Sequence, residues 1–216
     1  MGNKANSKIS RIIAVAGQLP MFTLDDLASI ESDKGYLRIL LSRYVKSGAV
    51  YRLKKGLYVT KEYIDRIEKS GRTGVYAEFL AGVLYEPSYL SLEYILHRHG
   101  LITESPAIIT AVARKKTAVF STSFGTYRYH TIRPLLFTGF TSKRDGDYII
   151  FRASVAKALF DFLYLRKNNL ANAEAIRELR INFDVCKESD KRELARYITL
   201  EASARMRNIF TALWKN

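Results

Sequence analysis

The chain has 216 residues, of which 48% are hydrophobic and 26% charged, and this composition excludes an intrinsically disordered chain. The formal net charge of +14 favours a polyanionic partner, which is DNA, RNA or an anionic membrane. The single cysteine, Cys186, excludes an internal disulfide and a cysteine-based metal cluster. The first ten residues lack a signal-peptide core, and no apolar run approaches the roughly 18 residues of a spanning helix. We therefore expect a cytoplasmic protein with no membrane partner.

Half of the net charge lies in the first third of the chain, where residues 1–72 hold 14 basic and 7 acidic side chains. A merely solvated basic surface would also explain a charge of this size. The clustering favours a local binding surface instead, because seven cations follow one another with no acid between them. They are Lys34, Arg38, Arg43, Lys46, Arg52, Lys54 and Lys55.

The first sixty residues predict three helices and a hairpin. Apolar residues recur at helical spacing over 8–16, over 24–30 after a Thr23 cap, and over 34–47 after an Asp33 cap. Residues 49–60 read as two short strands joined at Gly56, a residue that tolerates the left-handed conformation of a tight turn. This order is that of a winged helix-turn-helix.

A winged helix explains where the cations lie. The third helix fits the major groove and offers its outer face to base edges, while a basic hairpin tip lies against phosphates. Arg38 and Arg43 are the candidates for base contacts, because arginine pairs bidentately with guanine. The predicted DNA-binding residues are Lys34, Tyr36, Arg38, Ser42, Arg43, Lys46, Arg52, Lys54 and Lys55. Two alternatives remain open: a solvated amphipathic helix, and a winged helix that binds protein.

A second domain is predicted over 74–216, after a first domain of residues 1–70 and a linker at 70–74. Helices are expected at 75–84 and 91–99, a small antiparallel sheet within 107–151, and helices again from residue 153, including one long helical stretch over 191–214. The predicted fold class is therefore α+β. Basic residues in or near the turns of the sheet form a possible second basic patch, for which solvated turn lysines are the alternative. They are Arg114, Lys115, Lys116, Arg128, Lys143 and Arg144.

Chemistry-bearing motifs are weak throughout the chain. His97 and His99 are two residues apart on a predicted helix and make a poor chelate. The segment 145–147 reads as a hairpin turn rather than as the start of a nuclease carboxylate pair. No phosphate loop or nucleophile elbow is present. We expect neither an enzyme nor a cofactor nor a metal site.

Four stretches resemble the AbiEi family of antitoxins and transcriptional regulators, which belong to type IV toxin–antitoxin and phage-defence operons. They are FTLDDLASI, RLKKGLYV, YEPSYLSLEYILHRHGLI and FRASVAKALFDFLYL. The resemblance covers roughly residues 8–166. One departure is Ala156, where the family tends to have a glutamate before Lys157, so any role of that glutamate is in doubt here.

The resemblance implies more than the residues themselves do. It implies a repressor whose winged helix binds inverted repeats of double-stranded DNA in its own promoter. It also implies a C-terminal domain that counters a nucleotidyltransferase-like toxin, without an obligatory stable complex. The alternative is a winged-helix module that binds protein or RNA without sequence-specific DNA binding.

Overall fold

The computed structural model describes residues 2–170 and 172–214, and it confirms the α+β class. The helices of this part of the chain are α1 Gly2–Ala16, α2 Lys34–Lys46, α3 Lys61–Lys69, α4 Thr73–Leu84, α5 Leu92–Arg98, α6 Val155–Arg166, α7 Ala173–Arg177, α8 Glu188–Glu201 and α9 Ala204–Leu213. Its strands are β1 Val50–Lys54, β2 Leu57–Thr60, β3 Ser88–Leu90, β4 Ile109–Ala113, β5 Ala118–Thr122, β6 Gly125–Thr131, β7 Phe140–Asp145 and β8 Tyr148–Ala153. No helix among the described residues is both long and apolar enough to span a bilayer.

The chain forms two compact units. The first contains residues 1–76 and 122–124, and the second contains residues 77–121 and 125–216. Thr73 and Gly74, the last two residues of the predicted linker, lie instead in the first turn of α4. A domain boundary at 70–74 stays a prediction.

The first unit is held by an apolar core that α1, α2 and the hairpin share. Ile12, Phe22, Leu27 and Leu37 have no exposed surface in it. The predicted helix over 24–30 is wrong: only a 3-10 turn forms, at Asp25–Leu27. Asp26 accepts hydrogen bonds from the Thr23 backbone N–H and hydroxyl, both at 2.7 Å, so these groups close a tight local turn rather than cap a helix.

Helix α2 begins and ends where the sequence predicts. The Asp33 carboxylate accepts hydrogen bonds from the backbone N–H groups of Gly35 and Tyr36, at 2.8 and 3.1 Å. At the other end Gly48 has a φ of +77°, and the N–H of Ala49 reaches back to the carbonyl of Tyr44. These caps fix the ends of α2 independently of any ligand.

Strands β1 and β2 form the predicted antiparallel hairpin, with a bulge between Arg52 and Lys54 and with Gly56 at a φ of +80°. A third short extended segment joins it, because Phe22 and Tyr58 exchange backbone hydrogen bonds of 2.8 and 2.9 Å. Phe22 lies between α1 and the 3-10 turn in the sequence. The hairpin is thereby tied to the helical core rather than projecting alone.

The second unit is built on a six-stranded sheet with the order β5-β6-β4-β3-β8-β7. The prediction of a small antiparallel sheet is wrong, since β3 pairs parallel with β8 and β4 pairs parallel with β6. Strand β3 lies outside the predicted range 107–151, and β7 lies within that range but is not one of the β-rich runs on which the prediction rests. Strand β3 has only three residues, and β7 reads FTSKRD, so neither shows the apolar alternation that marks a strand.

Buried carboxylates fasten helices to this sheet. Glu78 of α4 receives hydrogen bonds from Tyr94 and forms ion pairs with Arg98 and Arg152. Asp161 of α6 accepts a hydrogen bond from the hydroxyl of Tyr89 in β3 and pairs with Lys157 of its own helix at 2.5 Å. Helices α4 and α6 are thus each joined to the sheet by a buried carboxylate.

The C-terminal helical stretch predicted over 191–214 is two helices, α8 and α9. Helix α8 ends at Ala202, whose φ of 69° is left-handed and breaks the helix. The side chain of Glu201 accepts a hydrogen bond of 2.8 Å from the Ser203 N–H. It also pairs with Lys167 at 2.7 Å.

Candidate nucleic-acid interface

Helix α2 separates cleanly into a buried and an exposed face. Leu37, Leu40 and Leu41 are buried in the core of the first unit. The predicted contact residues of this helix are all exposed, and they are Lys34, Tyr36, Arg38, Ser42, Arg43 and Lys46. The apolar core therefore holds the helix by one side and leaves its basic side to solvent.

The exposed residues differ in their angle around the helix axis from the buried face. Successive residues of an α-helix are rotated by about 100°. Measured from the buried Leu37, Lys46 lies in the middle of the outer face, and Ser42 lies about 40° to one side of it. Arg43 lies about 60° to the other side, close to Tyr36 at one edge, and Arg38 lies at the other edge. A groove that received α2 would meet Lys46 and Ser42 first, with Arg43 beside them.

Lys34 lies on the flank of α2 rather than on the middle of its outer face. Its ammonium group pairs with the Asp25 carboxylate of the 3-10 turn, with 2.5 Å between Nζ and Oδ1. Both side chains are more than half exposed, so a phosphate can compete for the lysine. Of the predicted residues of α2, Lys34 is the one whose charge is already partly neutralised.

The hairpin presents three further cations next to α2 in the sequence. Arg52 and Lys55 are exposed, and Lys54 is half-buried at the end of β1. Gly56 completes the turn, and no atom lies within 4 Å of the position that a Cβ would occupy at this residue. The tip can therefore approach a flat or concave surface closely, and it carries positive charge there.

The six residues of the possible second basic patch do not share one surface. Arg114, Lys115 and Lys116 are exposed and directly follow β4. Lys143 and Arg144 lie within the edge strand β7 and not in a turn, and as neighbours in a strand they point to opposite faces of the sheet. Arg128 of β6 is separated from β7 by four strand spacings, about 19 Å. The second basic patch is therefore divided.

One residue of the exposed face was missed by the sequence prediction. Ile39 is 58% exposed, and it lies about 200° from Leu37 around the helix, near the middle of the basic face. The angular arithmetic alone could have identified it. The prediction sorted residues into apolar core and polar surface, and an exposed isoleucine fits neither group.

These features define a small helical unit with a capped, basic helix followed directly by a basic hairpin. Residues 10–61 match the model of the family described as transcriptional regulator, AbiEi antitoxin. The match contains all seven clustered cations and two of the four stretches on which the resemblance depends. No curated protein matches the chain in a sequence comparison.

The family match confirms the AbiEi resemblance over the segment that runs from the second half of α1 through α2 to the end of the hairpin. The matched family is described as one of transcriptional regulators of the antitoxin kind, and the match covers 52 of the 216 residues. The two later stretches, at 85–102 and 151–165, lie outside the matched residues. Their resemblance stays a prediction.

Proposed function

We propose that this chain is a sequence-specific DNA-binding antitoxin and transcriptional autorepressor of a type IV toxin–antitoxin operon. The observation that carries the proposal is the outer face of α2, where Ser42, Arg43 and Lys46 surround the middle line and Arg38 lies at its edge. Arginine and serine side chains can pair with base edges, and the adjacent lysine can pair with a phosphate.

The first unit is proposed to be a winged helix-turn-helix. In this interpretation α1 and the 3-10 turn support α2, the segment at Phe22 is the first strand, and β1 and β2 are the wing. The wing places Arg52, Lys54 and Lys55 against the phosphate backbone, which fixes the register of α2 in the major groove. The seven cations from Lys34 to Lys55 then act on one ligand.

The operator is proposed to be an inverted repeat in the chain's own promoter. One copy of the first unit carries one reading helix, so two copies related by a two-fold axis would read two half-sites. The second unit is proposed to act against a cognate nucleotidyltransferase-like toxin in the cytoplasm, with or without a stable complex. These two statements rest on the family match and the resemblance, not on the contacts of α2.

A gel-shift titration tests the DNA-binding proposal. The full chain is titrated against the DNA upstream of its own gene, with scrambled competitor, at two salt concentrations. We expect binding to the upstream DNA that the competitor does not remove. Arg43→Ala and Arg38→Ala should each lower the preference for the upstream DNA, by about 1–3 kcal/mol at a contacted guanine.

The matched control is Lys69→Ala, which removes an exposed cation of α3 from the same unit. It should leave the preference for the upstream DNA unchanged. Binding that scrambled competitor and salt both abolish would contradict the proposal and favour a winged-helix module that binds protein or RNA. An unchanged preference in both arginine variants would exclude α2 as the reading helix.

A further inference from the structure

Ile39 occupies a position that folding does not explain. The residue is 58% exposed, whereas Leu37 and Leu41 on the other side of α2 are 0% and 1% exposed. An exposed β-branched side chain contributes little to the core, and it forms a helix less readily than alanine does. A single exposed apolar residue is common on protein surfaces. What distinguishes Ile39 is its place in the middle of a basic helix face.

The surroundings of Ile39 indicate what kind of surface it meets. Gly35 and Ser42 lie one turn before and one turn after it along the same side of the helix, and Arg43 lies beside it. Glycine and serine are short and leave the isoleucine uncovered on one side, while the longer Tyr36, Arg43 and Lys46 surround it on the same face. The first unit has no acid between Lys34 and Lys61, and a polyanion is therefore the surface that this face complements.

The DNA major groove offers one apolar group on its base edges, the C5-methyl group of thymine. A helix that enters the groove brings the middle of its outer face closest to the bases. We infer that Ile39 reads a thymine methyl group, and that the operator has a thymine opposite this position of α2. This inference rests on the proposed function and specifies which base α2 selects besides guanine.

Deoxyuridine substitution tests the inference directly, because deoxyuridine differs from thymidine only by the missing methyl group. Each thymine of the upstream DNA is replaced in turn, and binding of the wild-type chain and of Ile39→Ala is compared by gel shift. One thymine, or a symmetry-related pair in an inverted repeat, should weaken wild-type binding about fourfold per site when replaced. Ile39→Ala should bind the unmodified DNA more weakly by a similar factor and should be insensitive to that replacement.

The control variant is Val15→Ala, which shortens another exposed aliphatic side chain of the same unit, 41% exposed on α1. It should keep the deoxyuridine sensitivity of the wild type. Ile39→Ala is expected to fold, because it removes an exposed side chain and raises helix propensity, and its melting temperature checks this.

Two results would overturn the inference, and they are distinguishable. If the chain prefers its upstream DNA but Ile39→Ala is as sensitive as the wild type at every thymine, Ile39 reads no methyl group and the proposed function stands. If the chain shows no preference for its upstream DNA, the proposed function and this inference fail together.

Discussion

The buried ion pair of Lys157 and Asp161 leads to a testable prediction about the stability of the second unit. The two charged atoms are 2.5 Å apart, and neither side chain has exposed surface. Asp161 also accepts hydrogen bonds from the hydroxyls of Tyr89 and Ser91, at 3.0 and 2.8 Å. Burial raises the pKa of Asp161 and lowers the pKa of Lys157, so each group depends on the other to remain charged.

Removal of one partner leaves an uncompensated charge in the interior. Asp161→Leu should lower the free energy of unfolding by about 3–5 kcal/mol for the stranded ammonium group, with a further cost for the two hydroxyls that lose their acceptor. The melting temperature should fall by roughly 6–20 °C. Addition of Lys157→Met to Asp161→Leu removes the stranded charge and should restore about 3 kcal/mol.

The assay is urea unfolding followed by the fluorescence of Trp214, the only tryptophan of the chain, which packs against Phe183 and Phe210. The control is Glu188→Gln, which breaks the exposed pair of Glu188 and Lys191 and should leave the unfolding curve unchanged. A double variant that is less stable than Asp161→Leu alone would refute the reasoning, because the two costs would then be independent.

Two further predictions concern the wing and the pH dependence of stability. Lys54→Ala combined with Lys55→Ala should weaken binding to all DNA and reduce the slope of log K against log salt by up to ~2, measured by gel shift; an unaltered slope would remove the wing from the interface. Burial alone would raise the pKa of Glu201, but hydrogen bonds from Lys167 and Ser203 outweigh it and hold the pKa below 4.5. Its contribution to stability is therefore complete above about pH 4.5 and is lost as the pH falls through the lower folded-state pKa. Glu201→Gln should be less stable than wild type at pH 7, and the urea midpoints of the two proteins should converge in acid. A difference between the two midpoints that stays constant across pH would contradict this.

Local patterns in the sequence were sufficient to predict most helices and the first hairpin. The Asp33 cap and the Gly56 turn each depend on a residue and its immediate neighbours, and both have the predicted geometry. Helix α6 likewise begins at Val155, close to residue 153, from which the sequence predicts helices again. These elements are determined by interactions within a few residues, which a single sequence displays.

The wrong or missing predictions concern the 3-10 turn of the first unit and the strand pairing of the second unit. A 3-10 turn stands where a helix was predicted, and the Thr23 hydroxyl donates to Asp26 instead of accepting from the helix backbone, a choice that spacing does not reveal. Strands β3 and β7 have too little alternation to be recognised, and they exist because neighbouring strands supply their hydrogen bonds. The mixed order of the sheet depends on pairings that join residues far apart in the chain.

The candidate site was also predicted only in part from the sequence. The sequence by itself determined which cations cluster between Lys34 and Lys55, because charge order is read directly along the chain. Only the tertiary structure decided that Lys34 pairs with Asp25 and that the possible second patch is split by the order of the strands. Burial and long-range pairing depend on how elements pack together, and a one-dimensional pattern contains no measure of either.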